Sequence, residues 1–380
     1  MSCSGQQRNH DSLHQSALVV DMHCDGVLKM KKGLDFSVRN ETDHMDVPRL
    51  KEGGTDLQVF ACWLDTKTPV DECRQTVDEL IDTLESVINR NSANMGICLS
   101  AAQAESIIAD GKIAAFVGIE NGVALANDLD NVQHFYDRGV RYITLTHTAS
   151  SDWCISSADT APAFHGLTDF GRDVVSKMNE LGMIIDVSHA SVSAFDEVLK
   201  VTTSPIIASH SCAYALCKHN RNLTDEQIKA IAENGGVIGV NYYNGYISEN
   251  FNHMMDSLWE SRKAEMDSLD DYFYSNDSLR KAAIKPIWEE IKAELDTVTV
   301  TLSDVIDHID YIVKLVGPDY VGLGSDWDGV FIMPKGLEDC SKVPDITKEL
   351  VARGYSDEDI RKILGGNFMR VFRQVCGEGA

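Results

Sequence analysis

The chain of 380 residues is 43% hydrophobic and 24% charged, the composition of a globular protein with material for a large core. Its formal net charge of −25 repels phosphate backbones and anionic headgroups, which excludes nucleic acid and membrane surfaces as partners. Ten cysteines without a CxxC pair read as reduced thiols; with a polar Met1 to Ser16 and no long apolar run, the expectation is a soluble, cytoplasmic protein.

The first element is an apolar strand, Ala17 to Asp21, that runs into His23-Cys24-Asp25. Residues i and i+2 of a strand project to one face, so His23 and Asp25 share a space while Cys24 alternates to the other side as packing. Seven further apolar runs follow: Leu57 to Trp63, Ile113 to Ile119, Val140 to Leu145, Met183 to Val187, Pro205 to Ala208, Gly236 to Asn241 and Tyr320 to Gly324. Most are continuously apolar, as expected of parallel strands buried on both faces. Amphipathic stripes separate them, one formed by Val77, Leu80, Ile81, Leu84, Val87 and Ile88, another by Leu167, Phe170, Val174, Met178 and Leu181. Thr224 with Gln227 opens a helix as a capping box, and Gly317-Pro318 stops one. Eight strand and helix units in succession predict an α/β fold, a single (β/α)8 TIM barrel over 1–380.

Two stretches exceed a minimal barrel. An acidic helical insertion at about 245–299 follows the seventh predicted strand and carries Trp259, Tyr272, Phe273, Tyr274 and Trp288. Its origin at a strand's C-terminal end places it on the catalytic face, as a lid, a subunit contact or padding. Closing helices are expected at about 344–374, with Ser356 capping one of them.

The strand ends carry the chemistry. His23 and Asp25 follow the first predicted strand, Glu120 the third, His147 the fourth, His189 the fifth, His210 the sixth and Asp326 the eighth. In a barrel these ends converge on one mouth. Carboxylates crowded there are costly without a cation, and mixed imidazole and carboxylate ligands suit zinc or another borderline divalent metal. The set exceeds what one metal needs, so two metals about 3.5 to 4 Å apart are expected, with Glu120 as the bridge because it is the central carboxylate in strand order. Arg221, in the loop after the sixth predicted strand, reads either as a bidentate partner for a substrate carboxylate or as a solvated helix cap.

With these residues in place the chain resembles the membrane (renal) dipeptidases, the M19 metallopeptidases of the amidohydrolase superfamily. The likeness runs through Asp21-Met22-His23-Cys24-Asp25, His44-Met45-Asp46-Val47-Pro48-Arg49-Leu50, Gly118-Ile119-Glu120-Asn121-Gly122, Tyr142 to His147, Asp186 to Ser191, Ile207 to Ser211, Arg221-Asn222 and Gly322 to Gly329. The resemblance implies one zinc on His23, Asp25 and Glu120 and a second on Glu120, His189 and His210. It also implies that His147 steadies the scissile carbonyl, Arg221 grips the substrate's carboxylate and Asp326 moves protons, often in a homodimer. Ser150-Ser151-Asp152-Trp153-Cys154 departs from the family's pattern after His147, and the second predicted strand follows it loosely. The secretion and lipid-anchor signals of animal members are absent, which favours a soluble microbial-type enzyme.

The expected reaction is hydrolysis of a small dipeptide, possible with a D-residue at the second position, by a metal-bridging hydroxide. Asp326 serves as general base and then general acid, while His147 and a zinc stabilise the oxyanion. The rival enzymatic reading is an amidohydrolase acting on N-acyl amino acids or lactones. The non-enzymatic rival is a metal-stabilised scaffold that has no use for Asp326.

Overall fold

The computed structural model describes residues 10–272 and 277–377. Its strands are β1 (Val20–Asp21), β2 (Leu57–Trp63), β3 (Met95–Ile97), β4 (Ile113–Glu120), β5 (Val140–Thr144), β6 (Ile184–Asp186), β7 (Ile207–Ala208), β8 (Val237–Val240) and β9 (Val321–Leu323). All pair in parallel, and the ring closes where β9 meets β1 through Leu323 and Asp21. The protein is a (β/α)8 TIM barrel.

β3 is the strand absent from the expected eight. β2 occupies one edge of β4 from Ala114 to Glu120, so β3 and β5 share the other, β3 against Ile113 to Ala115 and β5 from Val117 onward. β3 is therefore an appendage at the base of β4 and the ring keeps eight strands. β1 is shorter than expected, but a bridge between Cys24 and Trp327 carries the parallel pairing beyond Asp21.

Helices cover the outside. α1 (Val70–Arg90) buries its whole predicted stripe, and α2 (Asp169–Leu181) buries Val174 and Met178. α3 (Asp225–Glu233) opens with the Thr224 and Gln227 capping box. The insertion forms α4 (Glu249–Tyr272) and α5 (Asp277–Leu295); Phe273 and Tyr274 lie outside the described residues. α6 (Leu302–Val316) ends at Gly317. Ser356 caps Asp357–Arg361, its hydroxyl accepting from the Asp359 amide at 3.1 Å.

The last helix, α7 (Asn367–Cys376), decides which end of the barrel is open. Phe368 and Phe372 join Val20, Leu57, Phe116 and Val237 in the barrel's inner core, with both rings edge-on to Phe116 at 5.6 and 5.0 Å. Arg370 donates to the carbonyls of Gly236 and Asp319, which precede β8 and β9. The N-terminal end of the barrel is plugged, and the C-terminal mouth holds the cavity.

Candidate active site

A cavity of about 380 Å³ opens at that mouth, lined among others by Asp25, Glu120, His147, His189, His210 and Asp326. His23 lies behind it, fully buried. Glu120, the last residue of β4, is the hub. Its Oε2 lies 3.4 Å from His23 Nε2, while Oε1 lies 3.1 Å from His189 Nε2 and 3.4 Å from His210 Nε2. His23 Nε2 is 3.7 Å from Asp25 Oδ2, and the ring nitrogens of His189 and His210 meet at 3.0 Å. His147 Nε2 stands farther from the hub, 3.8 Å from Oε1. All seven predicted strand-end residues thus meet in one place.

The local backbone explains the convergence. Asp25 stands at the N-cap position of the short helix Gly26–Lys31 without a side-chain capping bond, so the chain turns just after delivering its carboxylate to the site. His189 and Asp326 adopt left-handed backbone, with φ of 67° and 65°, which swings each side chain inward at a strand end. Gly329 is a glycine for a different reason: a Cβ there would run into the carboxylates of Asp25 and Asp326.

Two residues fix the imidazoles from behind. Tyr142 Oη lies 2.8 Å from His23 Nδ1, and Ser209 Oγ lies 2.7 Å from His210 Nδ1. Ser209 Oγ donates in turn to Asp186 Oδ2, which also accepts from Thr144 Oγ1, both at 2.6 Å. Asp186 spends its other oxygen on the amides of Ser188 and Ser209. A ring whose Nδ1–H donates outward in this way can turn an Nε2 lone pair to the centre when a cation takes the place of the Nε2 proton, the arrangement that holds a metal ligand.

The residues fit a cation by three observations. His23 Nε2 is buried without a hydrogen-bond partner, aimed between Asp25 and Glu120. Burial would raise Glu120, yet the neighbouring His23 and His147 and the hydrogen bonds from His189 and His210 hold it well below the usual carboxylate range. Burial would lower His23, but Glu120, Asp25 and Asp326 outweigh it and push it up to about 10. The pocket demands positive charge. Three overlapping groups can supply ligands: His23, Glu120 and His210; Glu120, His147 and His189; His23, Asp25 and Asp326.

Asp326 accepts from Asn241 Nδ2 at 2.9 Å, and Asn241 is itself held by the Tyr243 amide at 2.6 Å. Arg221 does not line the main cavity. It borders an adjoining one of about 180 Å³, donating to Ser211 Oγ at 3.2 Å and the His210 carbonyl at 2.8 Å, with its Nε unpartnered. Its guanidinium lies 5.2 Å from the centre of the Tyr246 ring. Among the described residues no carboxylate pairs with it, so of the two readings of Arg221 the solvated cap is wrong: the residue is buried. The Ser150 to Cys154 departure lies mostly outside the cavity, since Trp153 is buried against Gly122 and Gly171.

The sequence reading missed Tyr142, Asp186, Ser209, Asn241 and Tyr246 as supports. Asn241 had a signal, a polar residue ending an apolar strand beside the other strand-end groups.

Imidazoles and carboxylates gathered at the open mouth of this barrel define a metal-dependent hydrolase. A family model for membrane dipeptidase, peptidase family M19, matches residues 7–377, and the chain belongs to that family. The enzyme is a metallopeptidase that hydrolyses dipeptides. Solved structures similar to it include the probable dipeptidase PvdM from Pseudomonas aeruginosa, 28% identical over 97% of this chain and 98% of that one, with a TM-score of 0.82. The dipeptidase AC, a metallopeptidase of family M19, is 24% identical over 95% and 99% at a TM-score of 0.78. A metallopeptidase from Rhodobacter sphaeroides, liganded with a phosphinate mimic of L-Ala-D-Ala, is 23% identical over 94% and 99% at 0.76.

Proposed function

We propose that the enzyme works with two zinc ions, one held by His23, Asp25 and Glu120 and the other by Glu120, His189 and His210, and cleaves dipeptides with a free carboxylate. The observation that carries this is the division of Glu120, one oxygen toward His23 and the other toward His189 and His210. When bound, the metals lower the pKa of water toward neutrality and polarise the peptide carbonyl.

The chain's own residues do the rest. Asp326, oriented by Asn241, takes a proton from the attacking water and delivers it to the leaving amine. Thr148 Oγ1 lies 3.1 Å from His147 Nδ1, and burial keeps His147 below its usual pKa. A neutral His147 accepting that hydroxyl proton presents Nε2–H to the carbonyl oxygen as charge develops. Arg221 meets the substrate's carboxylate with a donor set that has no competing anion among the described residues. The nine described cysteines are free, which supports a cytoplasmic setting. The homodimer is part of the same proposal, and sedimentation velocity tests it.

The test is hydrolysis of L,L and L,D dipeptides, free and N-acetylated, by metal-stripped protein with and without zinc. The L-Ala-D-Ala mimic in the Rhodobacter structure is the reason to include the D-residue. Zinc-dependent cleavage of free dipeptides is expected; cleavage confined to acylated compounds would move the enzyme to the deacylases. Arg221→Ala should lower kcat/KM about a hundredfold or more on free dipeptides. Equal wild-type rates on amidated dipeptides would remove Arg221 from carboxylate binding.

A further inference from the structure

The insertion reaches the pocket. α4 and α5 pack on each other, burying Leu258, Met266, Ile287 and Ile291. Trp288 of α5 lies 5.7 Å from Trp259 of α4 and 5.5 Å, edge-on, from Phe331. Phe331 stands in the loop after β9 and lines the main cavity. It is 36% exposed, so part of its ring is left for a ligand to cover. The same ring lies 6.3 Å from Tyr243, also a lining residue, and Tyr243 lies 4.9 Å edge-on to Tyr246 beside Arg221.

A continuous run of rings therefore connects the insertion to the place where the substrate's carboxylate is held. With the carboxylate at Arg221, a side chain on the same residue would meet this run of rings. We infer that Phe331 and Tyr243, with Phe331 backed by Trp288 of the insertion, form the subsite for the dipeptide's second side chain and select an apolar or aromatic group there. Removing such a group from water against an aromatic wall favours it over hydrogen at the same position. Trp288 touches no substrate; it is a positioning residue that acts through Phe331. The inference rests on the dipeptidase reading with Arg221 at the carboxylate.

The experiment compares kcat and KM for Ala-Phe and Ala-Gly in zinc-loaded wild type, Phe331→Ala, Trp288→Ala and Trp288→Phe. Wild type should favour Ala-Phe by about tenfold or more in kcat/KM, mostly through KM. Phe331→Ala should erase that preference, Trp288→Ala should reduce it several-fold, and Trp288→Phe should restore most of it. A wild-type ratio near one, or a ratio unmoved in both alanine variants while Ala-Gly is still cleaved, overturns the subsite. Failure of wild type to cleave either dipeptide overturns the reaction assignment instead. Should Trp288→Ala not fold, Phe331→Ala and Trp288→Phe still decide.

Discussion

Glu120 is buried among four imidazoles, so the two halves of the site depend on one carboxylate. His189→Ala should lose one metal per chain by elemental analysis, and an unchanged stoichiometry would contradict the ligand assignment. Asp326→Asn should keep both metals and lose about 10²- to 10⁴-fold in kcat, the range for a general acid and base. Gly329→Ala should weaken metal binding, measured by zinc titration, because the added methyl must push aside the carboxylate of Asp25, a proposed ligand. The residues that converge on Glu120 were legible because each sits at a strand end, where fold geometry turns sequence position into spatial position. Their supports were not, because Tyr142 meets His23 across 119 residues and Asn241 meets Asp326 across 85, and no local pattern encodes such pairs.

At the scale of elements, α7 closes the barrel floor with Phe368 and Phe372, and the mouth then becomes the one open end of the inner core. Phe372→Ala should cost about 3 to 5 kcal/mol in denaturant unfolding, the usual price of a large buried ring. The eight ring strands announced themselves as apolar runs, since a parallel strand inside a helical shell is buried on both faces. β3 did not, because Met95-Gly96-Ile97 is three residues long and pairs along half of one edge of β4. The insertion was visible as acidic and helical, but its hold on the pocket depends on Trp288 meeting Phe331, a contact between separate elements.

Across the whole molecule, acidity acts through buried histidines. His44 is held down to about 4, first by burial and then by Lys29 and Arg49; its Nδ1 accepts from the Asp328 amide at 3.0 Å. A histidine depressed in the folded state binds its proton more readily when unfolded, so its contribution is full above about pH 6.5 and lost as pH falls toward 4. The stability gap between wild type and His44→Gln should narrow by about 2 kcal/mol from pH 7.5 to 5, read from urea unfolding. A gap that holds constant would show that His44 does not titrate on unfolding. Metal couples to the same equilibrium: a thousandfold excess over Kd stabilises by about 4 kcal/mol, so chelation should lower Tm by several degrees in calorimetry.

The most direct measurement titrates metal-stripped protein with zinc while following bound zinc and dipeptide hydrolysis together. The two-metal site divided at Glu120 predicts two equivalents bound per chain, with full activity reached only as the second fills. Saturation at one equivalent with full turnover, or hydrolysis before any zinc is added, would contradict it.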